Sequence, residues 1–63
     1  MKATNRRAAL GIKVGERVRH VRLNKVGRVV LLHMNRRGDV EVIVDGSLYG
    51  EAVVWFGENI ERA

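Results

Sequence analysis

The spacing of apolar residues divides most of the chain into short β-strands. From residue 14 onward, valine, isoleucine, leucine and tryptophan occur in runs bounded by glycine, asparagine or aspartate, which is typical of strands joined by tight turns. The pattern predicts five strands, at residues 16–23, 28–34, 39–44, 52–56 and 60–62. Turns are predicted at residues 24–27 and 35–38 and at the Asp45-Gly46 pair. These elements indicate an all-β fold, either a small barrel or two packed sheets.

The predicted strands differ in how regularly they alternate. Residues 39–44 place three valines on one face, whereas residues 28–34 carry apolar side chains on both faces. One explanation is a strongly curved strand that crosses between sheets. Another is an outer apolar stripe that a second subunit covers, and the two can hold together. The stripe would consist of Val30, Leu32, Ile43 and Val54.

The adjacent aromatic residues Trp55 and Phe56 must point to opposite faces of their strand. We favour Phe56 in the core and Trp55 at an interface, because the indole N–H requires a hydrogen-bond partner. The reverse arrangement is the alternative.

The first 13 residues differ from the rest of the chain. They are basic and have no long apolar period, so we expect a flexible basic N-terminal arm at residues 1–13 and a barrel domain at residues 14–63. A helical turn from Thr4 or Asn5 through Leu10, ended by Gly11, is compatible with this arm. A helix this short is marginal in water by itself.

The size and composition restrict the class of protein. With 63 residues and no cysteine, the chain has room for one small core that no disulfide can reinforce, so self-association is a natural source of stability. No apolar stretch approaches the roughly 20 residues of a membrane span, and no secretory signal is evident. We expect a cytoplasmic protein that does not contact membranes.

Charge is divided unevenly between the two halves of the chain. Residues 1–37 contain eleven basic side chains and one acidic one, whereas residues 38–63 contain six acidic side chains and one basic one. A basic half suggests a polyanionic partner, and few aromatic residues favour duplex DNA or structured RNA over single strands. Asp39 and Glu41 could neutralise part of this charge by pairing across to Arg28 or to the neighbours of Met34. The candidate nucleic-acid-binding residues are Arg6, Arg7, Arg17, Arg19, Arg28, Arg36 and Arg37.

Catalytic chemistry is poorly represented. Ser47 follows Asp45-Gly46, where a polar turn residue is expected anyway, and His20 and His33 are too few for a zinc site. We therefore expect a non-catalytic binding module without metal or cofactor. The alternatives to nucleic acid are an acidic protein partner or self-association into a scaffold.

Two segments resemble a known class of small barrels. Gly15-Glu-Arg-Val-Arg19 and Lys25-Val-Gly-Arg-Val-Val30 are similar to the opening of KOW-type and related SH3-like modules. The third strand and the closing Asn59-Ile-Glu-Arg62 also fit, so the resemblance implies an SH3-like barrel over residues 15–62.

The chain also resembles the plasmid-encoded type II dihydrofolate reductases in outline. Those enzymes are SH3-like barrels that form tetramers around a pore lined by a Val-Gln-Ile-Tyr run. Ala52-Val-Val-Trp55 stands in the comparable place here, so no catalytic residue is carried over. This resemblance implies only self-association.

Overall fold

The computed structural model describes residues 6–63, with only the backbone of Arg6. Five strands and one short helix account for its regular structure, which confirms the predicted all-β class. Residues 1–5 of the predicted N-terminal arm lie outside the described residues. The elements are α1 (Arg6–Leu10), β1 (Arg17–His20), β2 (Lys25–Leu32), β3 (Val40–Val44), β4 (Ala52–Trp55), a 3₁₀ turn (Gly57–Asn59) and β5 (Ile60–Arg62).

The strands form one antiparallel sheet in the order β4-β3-β2-β1-β5. β1 to β4 each pair with the next strand along the chain, and β5 returns after the 3₁₀ turn to pair with β1. This sheet is compatible with a small barrel-like fold. Within residues 6–63, β4 and β5 are its two edges, because each pairs with a single neighbour.

Side chains from every strand meet in one small core. The alternation of valines in β3 is the clearest sequence signal for it, since Val40 and Val42 are fully buried. Trp55 pairs with Val40 across β3 and β4 and shares its inward face, so Trp55 is buried and Phe56 is exposed. Our preference for Phe56 in the core is therefore wrong. The buried apolar residues are Ile12, Val18, Val29, Val40, Val42, Trp55 and Ile60.

An irregularity in β2 explains why that strand has apolar side chains on both faces. The register with β3 shifts between Val29 and Leu31, which is typical of a β-bulge. Val30 and Leu31 are exposed at this point, whereas Leu32 packs against the core. The predicted outer stripe is therefore wrong for Leu32, although its other three members are exposed.

The turn between β1 and β2 lies three residues earlier than predicted, at residues 21–24. Asn24 has a positive φ of 55°, and its N–H donates to the carbonyl oxygen of His20 at 2.8 Å. Gly27 lies within β2 instead of the turn. A β-carbon there would lie 2.9 Å from the carbonyl oxygen of Ile43, so this glycine permits close approach of β3.

Helix α1 packs against β5 and the 3₁₀ turn. It ends at Gly11, whose φ is 67°, and the following Ile12 is part of the core. The guanidinium of Arg62 donates to the carbonyl oxygen of Leu10 at 2.6 Å. Residues 6–12 are therefore in contact with the strands. Among residues 6–63 there is no helix long and apolar enough to cross a membrane.

Candidate functional site

Three arginines project from the outer face of β1 and β2. Val18 is fully buried, so its neighbours Arg17 and Arg19 point away from the core. Arg17 lies directly opposite Arg28 in the register of the two strands. Arg17, Arg19 and Arg28 thus share one surface, which we call the arginine face.

Carboxylates compensate only part of the arginine face. Arg17 and Arg28 are like charges directly opposite each other on the sheet, which is unfavourable. A carboxylate compensates the first of them, since Arg17 is paired with Asp45. The Nε of Arg19 donates to Glu61 at 2.9 Å. No carboxylate within residues 6–63 pairs with Arg28. The structure therefore leaves one uncompensated guanidinium beside two that are paired.

Of the two ion pairs of the arginine face, the pair of Arg17 with Asp45 is exposed to water and the pair of Arg19 with Glu61 is partly exposed. The side chains of Arg17 and Arg19 are 51% and 39% exposed, and such pairs contribute only about 0–1 kcal/mol. A ligand phosphate can therefore replace either carboxylate at small cost.

Arg7 occupies a different environment from the one predicted. Its side chain is buried, and its guanidinium donates to the carbonyl oxygens of His33 at 2.6 Å and Asp39 at 3.3 Å. It joins α1 to the connection between β2 and β3, so it is not available to a ligand on the surface. The side chain of Arg6 lies outside the described residues.

Arg36 and Arg37 lie on the connection that follows β2, apart from the arginine face. Arg37 pairs with Asp39 at 2.9 Å, and its guanidinium carbon lies 4.5 Å from the ring centre of Phe56. Arg36 is exposed and has no carboxylate partner among residues 6–63. The structure does not join these two residues to Arg17, Arg19 and Arg28.

Asp39 is a structural centre that the sequence analysis missed. Its buried carboxylate accepts hydrogen bonds from the backbone N–H of Gly57 at 3.2 Å, the amide of Asn35 at 3.1 Å and Nε of Arg37 at 3.1 Å. Burial by itself raises the pKa of Asp39, but the hydrogen bonds from Gly57, Asn35 and Arg37 outweigh it, so the pKa lies below its ordinary value. Of the predicted partners of Asp39, Arg28 is wrong, whereas a neighbour of Met34 is correct, since Asn35 follows Met34 in the chain.

Glu41 pairs with one of its two predicted partners. Its carboxylate lies 2.9 Å from Nε2 of His33, which is a neighbour of Met34 in the chain. The other predicted partner, Arg28, is wrong, and Arg28 stays uncompensated on the arginine face.

A groove of about 670 Å³ opens between the turn at residues 21–24 and strand β4; we call it the hairpin groove. Its walls include the partly exposed apolar side chains of Leu23, Val53 and Phe56. Arg22 and Lys25 lie on its rim, and no carboxylate of residues 6–63 lines it. The groove is therefore apolar inside and cationic at its rim.

His20 holds the turn beside this groove in place. Its Nδ1 accepts hydrogen bonds from the backbone N–H groups of Arg22 at 3.2 Å and Leu23 at 3.1 Å, which requires an unprotonated Nδ1. Its ring packs edge-on against Trp55, with the centroids 5.2 Å apart. Burial, followed by the nearby charge of Arg22, lowers the pKa of His20. The neutral imidazole thus fixes the shape of the turn.

Metal ligands and Ser47 are the remaining candidates for site chemistry. Within residues 6–63, no three potential metal ligands come together. Ser47 lies in an exposed turn, where its backbone N–H donates to the carbonyl oxygen of Val44 at 3.1 Å. No protein-family model, curated protein or solved structure matches the chain.

Proposed function

We propose that this chain is a non-catalytic, SH3-like binding module that binds nucleic acid through the arginine face. The five-stranded antiparallel sheet supports the SH3-like assignment that the motifs at residues 15–19 and 25–30 suggest. The binding role rests on one observation: Arg17 and Arg28 lie directly opposite each other, and Arg28 lacks a carboxylate partner within residues 6–63.

The charge left over after ion pairing supports an anionic ligand. Five of the seven acidic side chains are already engaged with a basic partner: Glu16, Asp39, Glu41, Asp45 and Glu61. Apart from the buried Arg7, which bonds to backbone carbonyls, five cationic side chains described by the structure have no carboxylate partner: Lys13, Arg22, Lys25, Arg28 and Arg36. The uncompensated charge is thus positive, and it attracts a polyanion.

Phosphate suits the arginine face chemically. A guanidinium donates two parallel hydrogen bonds to phosphate oxygens, and its charge displaces the counterions that surround a duplex. The pairs of Arg17 with Asp45 and Arg19 with Glu61, which are at least partly exposed, would open to admit phosphates. Contacts of this kind carry little sequence information, so binding should be strongly salt-dependent and weakly sequence-specific.

A matched pair of variants tests this proposal. Arg17, Arg19 and Arg28 are changed together to glutamine, and a control protein carries glutamine at Lys13, Lys25 and Arg36. Both lose three positive charges. Fluorescence anisotropy with a labelled 16-base-pair duplex is measured from low to moderate salt.

Loss of the arginine face should reduce the slope of log K against log salt by about 2 to 3, because each phosphate contact contributes about 0.9. The control should retain most of the slope of the unaltered protein. Equal losses in the two variants would refute a specific role for the arginine face.

Capture of an acidic protein segment is a second candidate function. It is favoured by the uncompensated Arg22 and Lys25 beside the apolar hairpin groove. Retention of acidic proteins after nuclease treatment, and their release by an acidic peptide, tests this function without reference to where they bind.

A further inference from the structure

Strand β4 has one hydrogen-bonding edge without a partner strand. Within residues 6–63 it pairs with β3 only, through four successive residue pairs from Ile43 and Ala52 to Val40 and Trp55. An edge strand of this kind presents backbone N–H and C=O groups to which another extended chain can pair. The hairpin groove runs along β4, since Val53, Val54, Trp55 and Phe56 all line it.

The groove has the chemistry of a site for an acidic and partly apolar chain. Leu23, Val53 and Phe56 expose 54%, 39% and 44% of their surfaces there. Because Arg22 and Lys25 have no carboxylate partner in residues 6–63, carboxylates of a ligand would complement them. Nucleic acid is less suitable here, since Trp55 is buried and Arg37 already stacks on the ring of Phe56.

The wall opposite β4 is preorganised. The two backbone hydrogen bonds to Nδ1 of His20 hold the residues that carry Arg22 and Leu23, and Asn24 closes the turn by its bond to the carbonyl of His20. A ligand therefore meets a turn that is already ordered, which reduces the entropy lost on binding.

We propose that the hairpin groove is a docking site for an extended acidic peptide, which pairs with the open edge of β4 as an added strand. The apolar side chains of the peptide contact Leu23, Val53 and Phe56, and the carboxylates of the peptide pair with Arg22 and Lys25. This inference rests on the second candidate function, and it uses a surface separate from the arginine face.

The experiment uses a synthetic eight-residue peptide in which valine and leucine alternate with aspartate and glutamate. Binding is followed by the fluorescence of Trp55, the single tryptophan of the chain, which lines the groove, and by chemical-shift mapping of backbone amides. Two control peptides are used. In one, glutamine and asparagine replace the acids, and in the other, alternate backbone amides are N-methylated so that they cannot pair with a strand.

We expect saturable binding with amide shifts confined to β4 and residues 21–25. The double variant Arg22→Gln and Lys25→Gln should bind at least about fivefold more weakly, as expected for two exposed ion pairs. The matched variant Arg28→Gln and Arg36→Gln should bind normally. N-methylation should weaken binding by about tenfold or more, since hydrogen bonds along the strand supply much of the affinity in this mode.

Several results would overturn the inference. Equal affinity for the N-methylated peptide would exclude strand addition, and shifts centred on the arginine face would place the peptide elsewhere. Either result would leave the second candidate function, capture of an acidic protein segment, intact. If the peptide does not bind and acidic proteins are not retained, both this inference and the second candidate function are refuted. Concentration-dependent dimerisation with the same shifts in the absence of peptide would assign the edge of β4 to a second copy of the chain.

Discussion

Replacing Asp39 by alanine should be among the most destabilising single changes in this protein. Three hydrogen bonds to its carboxylate are lost, and the buried N–H of Gly57 is left without a partner. An unpaired buried group costs about 1–3 kcal/mol, whereas the half-exposed ion pair with Arg37 adds at most about 1 kcal/mol. We therefore expect Asp39→Ala to lower the free energy of unfolding by about 3 kcal/mol. The total free energy of unfolding of a chain of this size is only about 3–9 kcal/mol.

Urea unfolding followed by the fluorescence of Trp55 provides the measurement. Asp39→Asn keeps one acceptor oxygen for Gly57 and should cost about 1–2 kcal/mol, less than the alanine variant. Arg37→Gln removes only the exposed partner and should cost less than about 1 kcal/mol. The expected order of the free energies of unfolding is thus Arg37→Gln, then Asp39→Asn, then Asp39→Ala as the lowest.

The difference between the unaltered protein and Asp39→Asn should depend on pH. Because the pKa of Asp39 is lower in the folded state than in the unfolded state, the charged carboxylate stabilises the fold above about pH 4, and this contribution is lost as the pH falls through the folded-state pKa. The difference in unfolding free energy should therefore shrink as the pH falls below about 4. A cost below about 1 kcal/mol for Asp39→Ala, or a difference that does not change with pH, would refute the role assigned to this carboxylate.

Three further changes test other parts of the fold. Trp55→Ala should cost about 3–5 kcal/mol in urea unfolding followed by circular dichroism, and Phe56→Ala less than about 1 kcal/mol; comparable losses would contradict the assignment of faces. Gly57→Ala places a β-carbon against the carbonyl oxygens of Arg37 and Gly38. Thermal unfolding should therefore show that the free energy of unfolding falls by about 3 kcal/mol or more. An unchanged stability would argue against this close approach. The imidazole of His20 should titrate in NMR spectra with a pKa below the ordinary histidine value, and stability should fall as the pH drops below about 6.5; a raised pKa would exclude the hydrogen bonds to Nδ1.

The hydrophobic pattern was sufficient to predict five strands but not their local details. Strand β5 has the predicted bounds, and β3 is predicted within one residue because its valines alternate over a buried face. The bulge after Val29 has no comparable signal, since it depends on how β2 meets β3. Gly27 was predicted to lie in a turn. In a sequence, a glycine that is needed for a positive φ looks the same as one that is needed for close contact with a neighbouring strand, and Gly27 is of the second kind.

The arginines illustrate a similar limit for the candidate site. Arg17 and Arg19 point outward because Val18, which lies between them, faces the core. Their partners Asp45 and Glu61 lie 28 and 42 residues away in the chain, so these pairs become visible only once the sheet order is known. Arg7 could not be recognised as a buried residue, because its burial depends on α1 packing against the rest of the fold.

The most direct test of the central proposal is an NMR titration of the protein with a short DNA duplex at about 50 mM and about 300 mM salt. The proposal predicts low-salt shifts of the guanidinium Nε–H signals of Arg17, Arg19 and Arg28, with the pairs to Asp45 and Glu61 opening, and loss of most of these shifts at the higher salt. Binding that leaves these three signals unchanged, or shifts that persist at high salt, would contradict a phosphate-binding arginine face.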